Sequence, residues 1–215
     1  MRLAATMLVA LSAPAGADIR AHLPTPGDAL TVRSVQAEVE FATVYALLDL
    51  QGGTVVGLRH TRNAPGIGSY RHRWMFGLEY RRADRWWPGL ALHPVSVGYA
   101  AGWNDASRNV DGSVVYHRNL PGGRDGDSTA LAAARSGAKA GYSLLRYNAT
   151  VQQALPSAWK LRLVAEGQYS PHLLVPGEQF ALGGRYSLRG VEERALTGDR
   201  GRRVTVELHT PDVGR

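Results

Sequence analysis

The chain has 215 residues, 44% of them hydrophobic, a formal net charge of +7 and no cysteine. That length suits one sizeable β domain or two small ones, and the lack of cysteine excludes disulfides and thiolate metal sites. No apolar run reaches about 18 residues, which excludes a transmembrane helix but not barrel strands, since those alternate.

The N-terminus reads "MRLAATMLVALSAPAGADIR". Arg2 supplies a positive charge, Leu3 to Leu11 an apolar stretch, and Ala15-Gly16-Ala17 a small-residue cleavage pattern. Residues 1–17 are therefore read as a secretory signal peptide. Residues 18–40 show no clear pattern and are left as a linker.

From about residue 41 the chain becomes strand-like, with Gly, Pro, Asn and Asp clusters separating runs of period two. Weak strand candidates lie at Val44–Leu48 and Val55–Thr61. The clearest run is Tyr70 to Arg81. Tyr70, His72, Trp74, Phe76, Leu78 and Tyr80 share one face, and Arg71, Arg73, Glu79 and Arg81 lie on the other. Val95 to Trp103 alternates in the same way, and Ser113–His117 is a weaker candidate. The Ala-rich stretch Leu131 to Ala140 could be helical, although Gly137 interrupts it. In the next strand Leu145, Tyr147, Ala149 and Val151 oppose Arg146, Asn148, Thr150 and Gln152. Further on, Trp159, Leu161, Leu163 and Tyr169 oppose Lys160, Arg162, Glu166 and Gln168, and Val204, Val206 and Leu208 form a last short face. Eight or nine strands are expected in all. "RNAPG" at Arg62 and "RNLPG" at Arg118 echo each other, and each is expected to open a glycine-rich loop.

Alternation alone also describes a soluble β-sandwich. Strand length favours a membrane barrel instead. Tyr70 and Tyr80 lie ten residues apart on one face, as do Trp159 and Tyr169. Ten residues of strand span about 33 Å, and a tilt of about 40–45° projects that to about 25 Å, the height of the lipid-facing band between aromatic girdles. The sandwich remains the alternative at this point.

Motifs for catalysis or metal binding are missing. None of the seven histidines lies two or four positions from another, so no local zinc pair forms. There is no G-x-S-x-G elbow and no phosphate-binding G-x-x-x-x-G-K-[ST]. Asp125-Gly126-Asp127 lacks the remaining ligands of a calcium loop and reads as a polar turn.

"EQFALGGRYSLRGVEERALTGDRG", from Glu178 to Gly201, closely resembles a signature of two-partner secretion transporters, outer-membrane proteins that export and activate haemolysins and filamentous adhesins. Glu178, Gln179, Phe180, Leu182, Gly183, Gly184, Ser187, Arg189, Gly190, Glu193, Asp199 and Gly201 all match its pattern. "GQYSPHLLVPGEQF", "VELHTPDVG", "RNLPGGRDGD" and "SYRHRWMFGLEYR" also look like the family, so the resemblance covers about residues 40–215. Val191 departs from it, standing where an aromatic is usual, and Leu188 replaces a valine.

The resemblance implies an all-β fold: an antiparallel transmembrane β-barrel in the outer membrane, residues 41–215 forming about half of a 16-stranded family barrel. It implies that the loop at 183–201 folds into the lumen. Gly183, Gly184, Ser187, Arg189, Gly190, Glu193, Asp199 and Gly201 would carry that loop, with Arg189 pairing with a carboxylate on a strand. The implied partners are a secreted exoprotein and outer-membrane lipid. No catalytic residue, cofactor, metal, nucleic acid or small-molecule substrate is implied, and a monomer is expected. The family's periplasmic domains are not recognisable upstream, so the chain is expected to be part of a longer transporter. The alternatives are a gene remnant, a passive porin and a barrel-assembly insertase.

Overall fold

The computed structural model describes residues 19–22, 32–39, 42–49, 53–83, 89–184, 187–188 and 190–211, with side chains for residues 54–82 and from 89 onward. The strands are β1 (Ile19–His22), β2 (Val32–Val39), β3 (Ala42–Asp49), β4 (Gly53–Ile67), β5 (Tyr70–Ala83), β6 (Leu90–Leu92), β7 (Pro94–Asn104), β8 (Arg108–Asn119), β9 (Ser143–Ala154), β10 (Lys160–Tyr169), β11 (Phe180–Leu182), β12 (Leu196–Gly198) and β13 (Gly201–His209). One helix, α1 (Ser128–Ala134), lies between β8 and β9. Eleven strands form one sheet in the order β1-β2-β3-β4-β5-β7-β8-β9-β10-β13, with β6 paired to β5, and β11 pairs with β12 separately. Every pairing is antiparallel.

The sheet corrects several expectations. Its strands outnumber the eight or nine expected, and β1 and β2 occupy the stretch left as a linker. "RNAPG" does not open a loop. It runs inside β4, where the register shifts between Ala64 and Ile67 around Pro65, which has no amide hydrogen to give to a ladder. The Ala-rich helix starts at Ser128 and stops at Ala134, before Gly137. The proposed signal peptide, residues 1–17, lies outside the described residues.

The register confirms the two-faced pattern. Val97 pairs with Tyr116, Tyr99 with Val114 and Trp103 with Val110. Val114 continues to Tyr147, Val151 to Leu163, and Leu163 to Val206. This apolar face is uncovered: Phe76, Leu78, Val114, Val204, Val206 and Leu208 are all exposed. On the opposite face Arg162 lies opposite Glu207 and Glu166 opposite Arg203, and both pairs close ion pairs at 2.9 Å.

Connections alternate between the two ends of the sheet. At one end they are short: residues 68–69, 105–107 and 155–159. Aromatic side chains gather there. The Tyr70 hydroxyl lies 2.7 Å from that of Tyr99, Trp74 meets Tyr99 edge-on, and the Trp103 indole donates to Asp105 at 2.9 Å. Asp105 also accepts the Ser107 and Arg108 amides, which closes the turn; the Trp103 bond above all, together with these amides, holds its carboxyl well below the usual range. At the other end β3 and β4 are joined across residues 50–52, and from β5 onward the connections are long: residues 84–93, 120–142 and 170–200.

The packed core sits in those long connections. Leu90, Leu92, Leu131, Ala138, Ala140, Tyr142, Leu144, Leu174 and Val175 form one buried cluster. Fully buried Asn119 ties the connections together, accepting from the His93 amide at 2.7 Å and donating to the Ala140 carbonyl at 2.8 Å. Helix α1 has seven residues, too few to be stable alone. The Asp127 side chain caps it by accepting the Ala130 amide at 2.8 Å, and Leu131 anchors it in the cluster.

An arginine introduced at Val114, on the apolar face at mid-strand, is expected to cost about 2–4 kcal/mol in a bilayer. Thr150→Arg, on the opposite face beside Asp111, is expected to cost far less. Urea-dependent folding into lipid vesicles measures both.

Candidate functional site

The residues from Ser170 to Gly201 leave the end of β10 and return as β13. Their first half folds onto the polar face of the sheet, and Glu178 is the reason. Its side chain is only 5% exposed, and it accepts from Arg81 at 2.5 Å and from Arg146 at 3.1 Å. Both arginines project from the polar face, one on β5 and one on β9. Glu79 takes a second edge of Arg81 at 2.7 Å, so two carboxylates balance two guanidiniums. Gln168 on β10 completes the seat by donating to the Glu178 carbonyl at 2.8 Å and accepting from Arg146 at 2.9 Å. Two strands thus hold the carboxylate and a third holds the backbone carbonyl of the same residue, and a buried charge so paired is costly to strand by removing either side.

A second carboxylate closes the return. Asp199, between β12 and β13, takes both guanidinium nitrogens of Arg135, the second at 3.0 Å. It also accepts the Leu174 amide at 3.0 Å, while Arg135 donates to the Leu174 carbonyl at 2.7 Å. Arg135 directly follows α1, so this one pair locks the β8–β9 connection to both ends of the 170–200 segment. Burial pushes the Asp199 carboxyl up, but the bonds from Arg135, Leu174 and Gln179 outweigh it and hold the group below its ordinary range.

Between the two carboxylates lies the loop singled out by sequence. β11 and β12 pair Phe180 with Gly198 and Leu182 with Leu196, which makes its base. Gly183 has φ 119, and a Cβ there would lie 1.9 Å from the Glu192 carbonyl oxygen, so no other residue fits. At Gly201 a Cβ would meet the Phe180 ring at 2.1 Å, so that glycine lets the ring approach the backbone of β13. The Ser187 hydroxyl accepts the Gly183 amide at 3.2 Å, the Gly184 amide donates to Val191 at 2.9 Å, and Gly190 has φ 80. Glu193 is exposed. Arg189 lies outside the described residues.

Of the eight positions singled out, the structure builds Gly183, Gly184 and Ser187 into the loop base and seats Asp199 in an ion pair. It also shows what sequence reasoning missed. Glu178 matched the signature but was given no role, and its partners Arg81 and Arg146 were read only as polar-face residues. Alternation placed them on the right face; nothing in one sequence says which carboxylate crosses to meet them. Arg135 carried no signal at all. Among the described residues no cluster of His, Asp and Glu could hold a metal ion.

Residues 77–214 match the family of the haemolysin secretion/activation protein ShlB/FhaC/HecB. Two solved structures are similar. CdiB from Escherichia coli is 19% identical with a TM-score of 0.63, over 81% of this chain and 37% of that one. CdiB from Acinetobacter baumannii is 19% identical with a TM-score of 0.55, over 81% and 35%. No curated protein matches. The chain thus spans little more than a third of the length of the solved structures it resembles, and that likeness carries the fold.

Because the Asp199 pKa lies lower in the folded state, its contribution is complete above the ordinary carboxylate pKa, about 3.9, and is lost as pH falls through the lower folded value. Protection of the Leu174 amide from hydrogen exchange, taken relative to free peptide at the same pH, is expected to hold into mild acid and to fall only below that range. In Asp199→Asn that protection is expected to be lower already at neutral pH, by about 1–3 kcal/mol, with little further loss in acid.

Proposed function

The chain belongs to the haemolysin secretion/activation protein family, and from that membership we propose that it forms part of the wall and the internal loop of a channel that exports a partner protein. Family members are outer-membrane β-barrel transporters of secreted partners, and this chain is a partial barrel of that kind. The cargo would cross as an unfolded polypeptide along the polar face. Charged pairs such as Arg162–Glu207 and Glu166–Arg203 keep that face hydrated and self-neutralised, so it offers polar contacts without one strong trap. Nucleotide hydrolysis has no part in this reading; binding and folding outside the cell would drive transport.

One observation carries the proposal. The segment leading into the 183–201 loop is seated on the polar face by the buried Glu178, held from β5 and β9. A loop tied there stands in the path a cargo would take. In this reading Arg189 at the loop tip makes a second anchor to a carboxylate, with Gly190 giving the turn its freedom.

The test is a chimera in which residues 77–214 replace the matching segment of a family member whose export partner is known. Secretion of that partner is expected from the chimera, and it should fall to a small fraction in Glu178→Ala and in Arg189→Ala while the protein stays folded in the membrane. Undiminished export in both variants would overturn the role of the loop. Ion conductance without any export would favour a passive pore.

A further inference from the structure

The apolar face carries a second pattern, at the end of the sheet where the connections are long. Arg82 is the second-last residue of β5 and Arg118 the second-last of β8, while Arg202 is the second residue of β13. By alternation all three share the apolar face: Arg82 with Leu78 and Tyr80, Arg118 with Val114 and Tyr116, Arg202 with Val204 and Val206. All three are exposed. Arg200 joins them, its guanidinium 4.6 Å from the Tyr169 ring centre and its Nε donating to the Ser170 carbonyl at 2.9 Å. The short-turn end differs: that face ends there in Tyr70, Trp103 and Arg108, the last of which donates to Gln153 at 2.8 Å.

Arginine on a lipid-facing surface is tolerated only near the interface, where the guanidinium reaches the headgroup layer and the stem lies along acyl chains. In outer-membrane barrels the long connections face outward from the cell, which places this collar at the outer leaflet. Each arginine stands just beyond an apolar stretch that acyl chains would cover. Val204, Val206 and Leu208 below Arg202 are the most exposed example, at 68%, 64% and 58%. Arg118 and Arg202 make no ion pair with a described residue, so their charge is available to an outside anion. We propose that Arg118, Arg200 and Arg202 form a binding collar for phosphorylated lipid headgroups of the outer leaflet. Guanidinium suits this ligand because its planar fork meets two phosphate oxygens at once. The inference rests on the barrel reading of the sheet and is independent of export.

The test uses the full chain folded in detergent and native mass spectrometry, with diphosphorylated lipid A, its dephosphorylated form and inorganic phosphate as separate probes. The wild type is expected to retain the diphosphorylated lipid strongly and the dephosphorylated form weakly. Each arginine near a charged lipid surface strengthens its attraction to the headgroups, so Arg118→Gln combined with Arg202→Gln should weaken retention about tenfold or more. Arg62→Gln, on the same face toward the short-turn end, should leave it unchanged. The double lysine variant should keep most of the binding, and heat-modified gel migration verifies that every variant is folded. Retention by the folded glutamine variant equal to wild type would overturn the proposal. So would displacement of the lipid by inorganic phosphate at equal concentration, which would make the collar a site for free anions.

Discussion

One carboxylate organises the inner side of this sheet. Glu178 is buried in a setting where an unpaired charge would be expensive, and it is stable there because Arg81 and Arg146 reach it from strands on either side of β7 and β8. The pairing works in both directions. It brings the 174–179 segment against the sheet, and it gives two arginines on one wall a common counter-ion. Gln168 and Glu79 fill the remaining hydrogen-bonding positions. The cluster is therefore satisfied as a unit, which is what a buried polar network requires.

From that seat the rest follows in steps. With Glu178 fixed, Leu174 and Val175 are delivered to the buried cluster of Leu131, Tyr142 and Leu144. That cluster stabilises a helix too short to persist alone. The helix in turn presents Arg135 to Asp199, which pins the far end of the same loop. The signature loop is thus held at both ends by ion pairs. The architecture separates its tasks: the strands supply two faces of opposite polarity, the long connections supply the only packed apolar core among the described residues, and the carboxylates join the two.

Much of the sheet was legible in the sequence because alternation is local. The faces of β5, β7, β9 and β10 follow directly from period two, and the register keeps Val114, Tyr147 and their neighbours together. The errors have equally local causes. Pro65 and Gly66 looked like loop residues, but a bulge absorbs them inside β4. The segments that became β1 and β2 show weak alternation, and their place comes from the pairing of β2 with β3 and of β1 with β2. The site was only half legible. Glycines with positive φ announce a loop, and the signature located it. The partners of Glu178 and Asp199 lie 97, 32 and 64 residues away, and contacts at that range are set by topology.

The most direct test of this account is a double-mutant cycle on Glu178→Gln and Arg81→Gln, read as urea unfolding of the vesicle-inserted protein. If Glu178 is the seat of the loop, the two losses should be strongly non-additive, with a coupling of about 1–3 kcal/mol. Accessibility of the 183–198 loop to protease should rise to the same extent in either single variant as in the double. Additive losses, with the loop as protected as in the wild type, would contradict it.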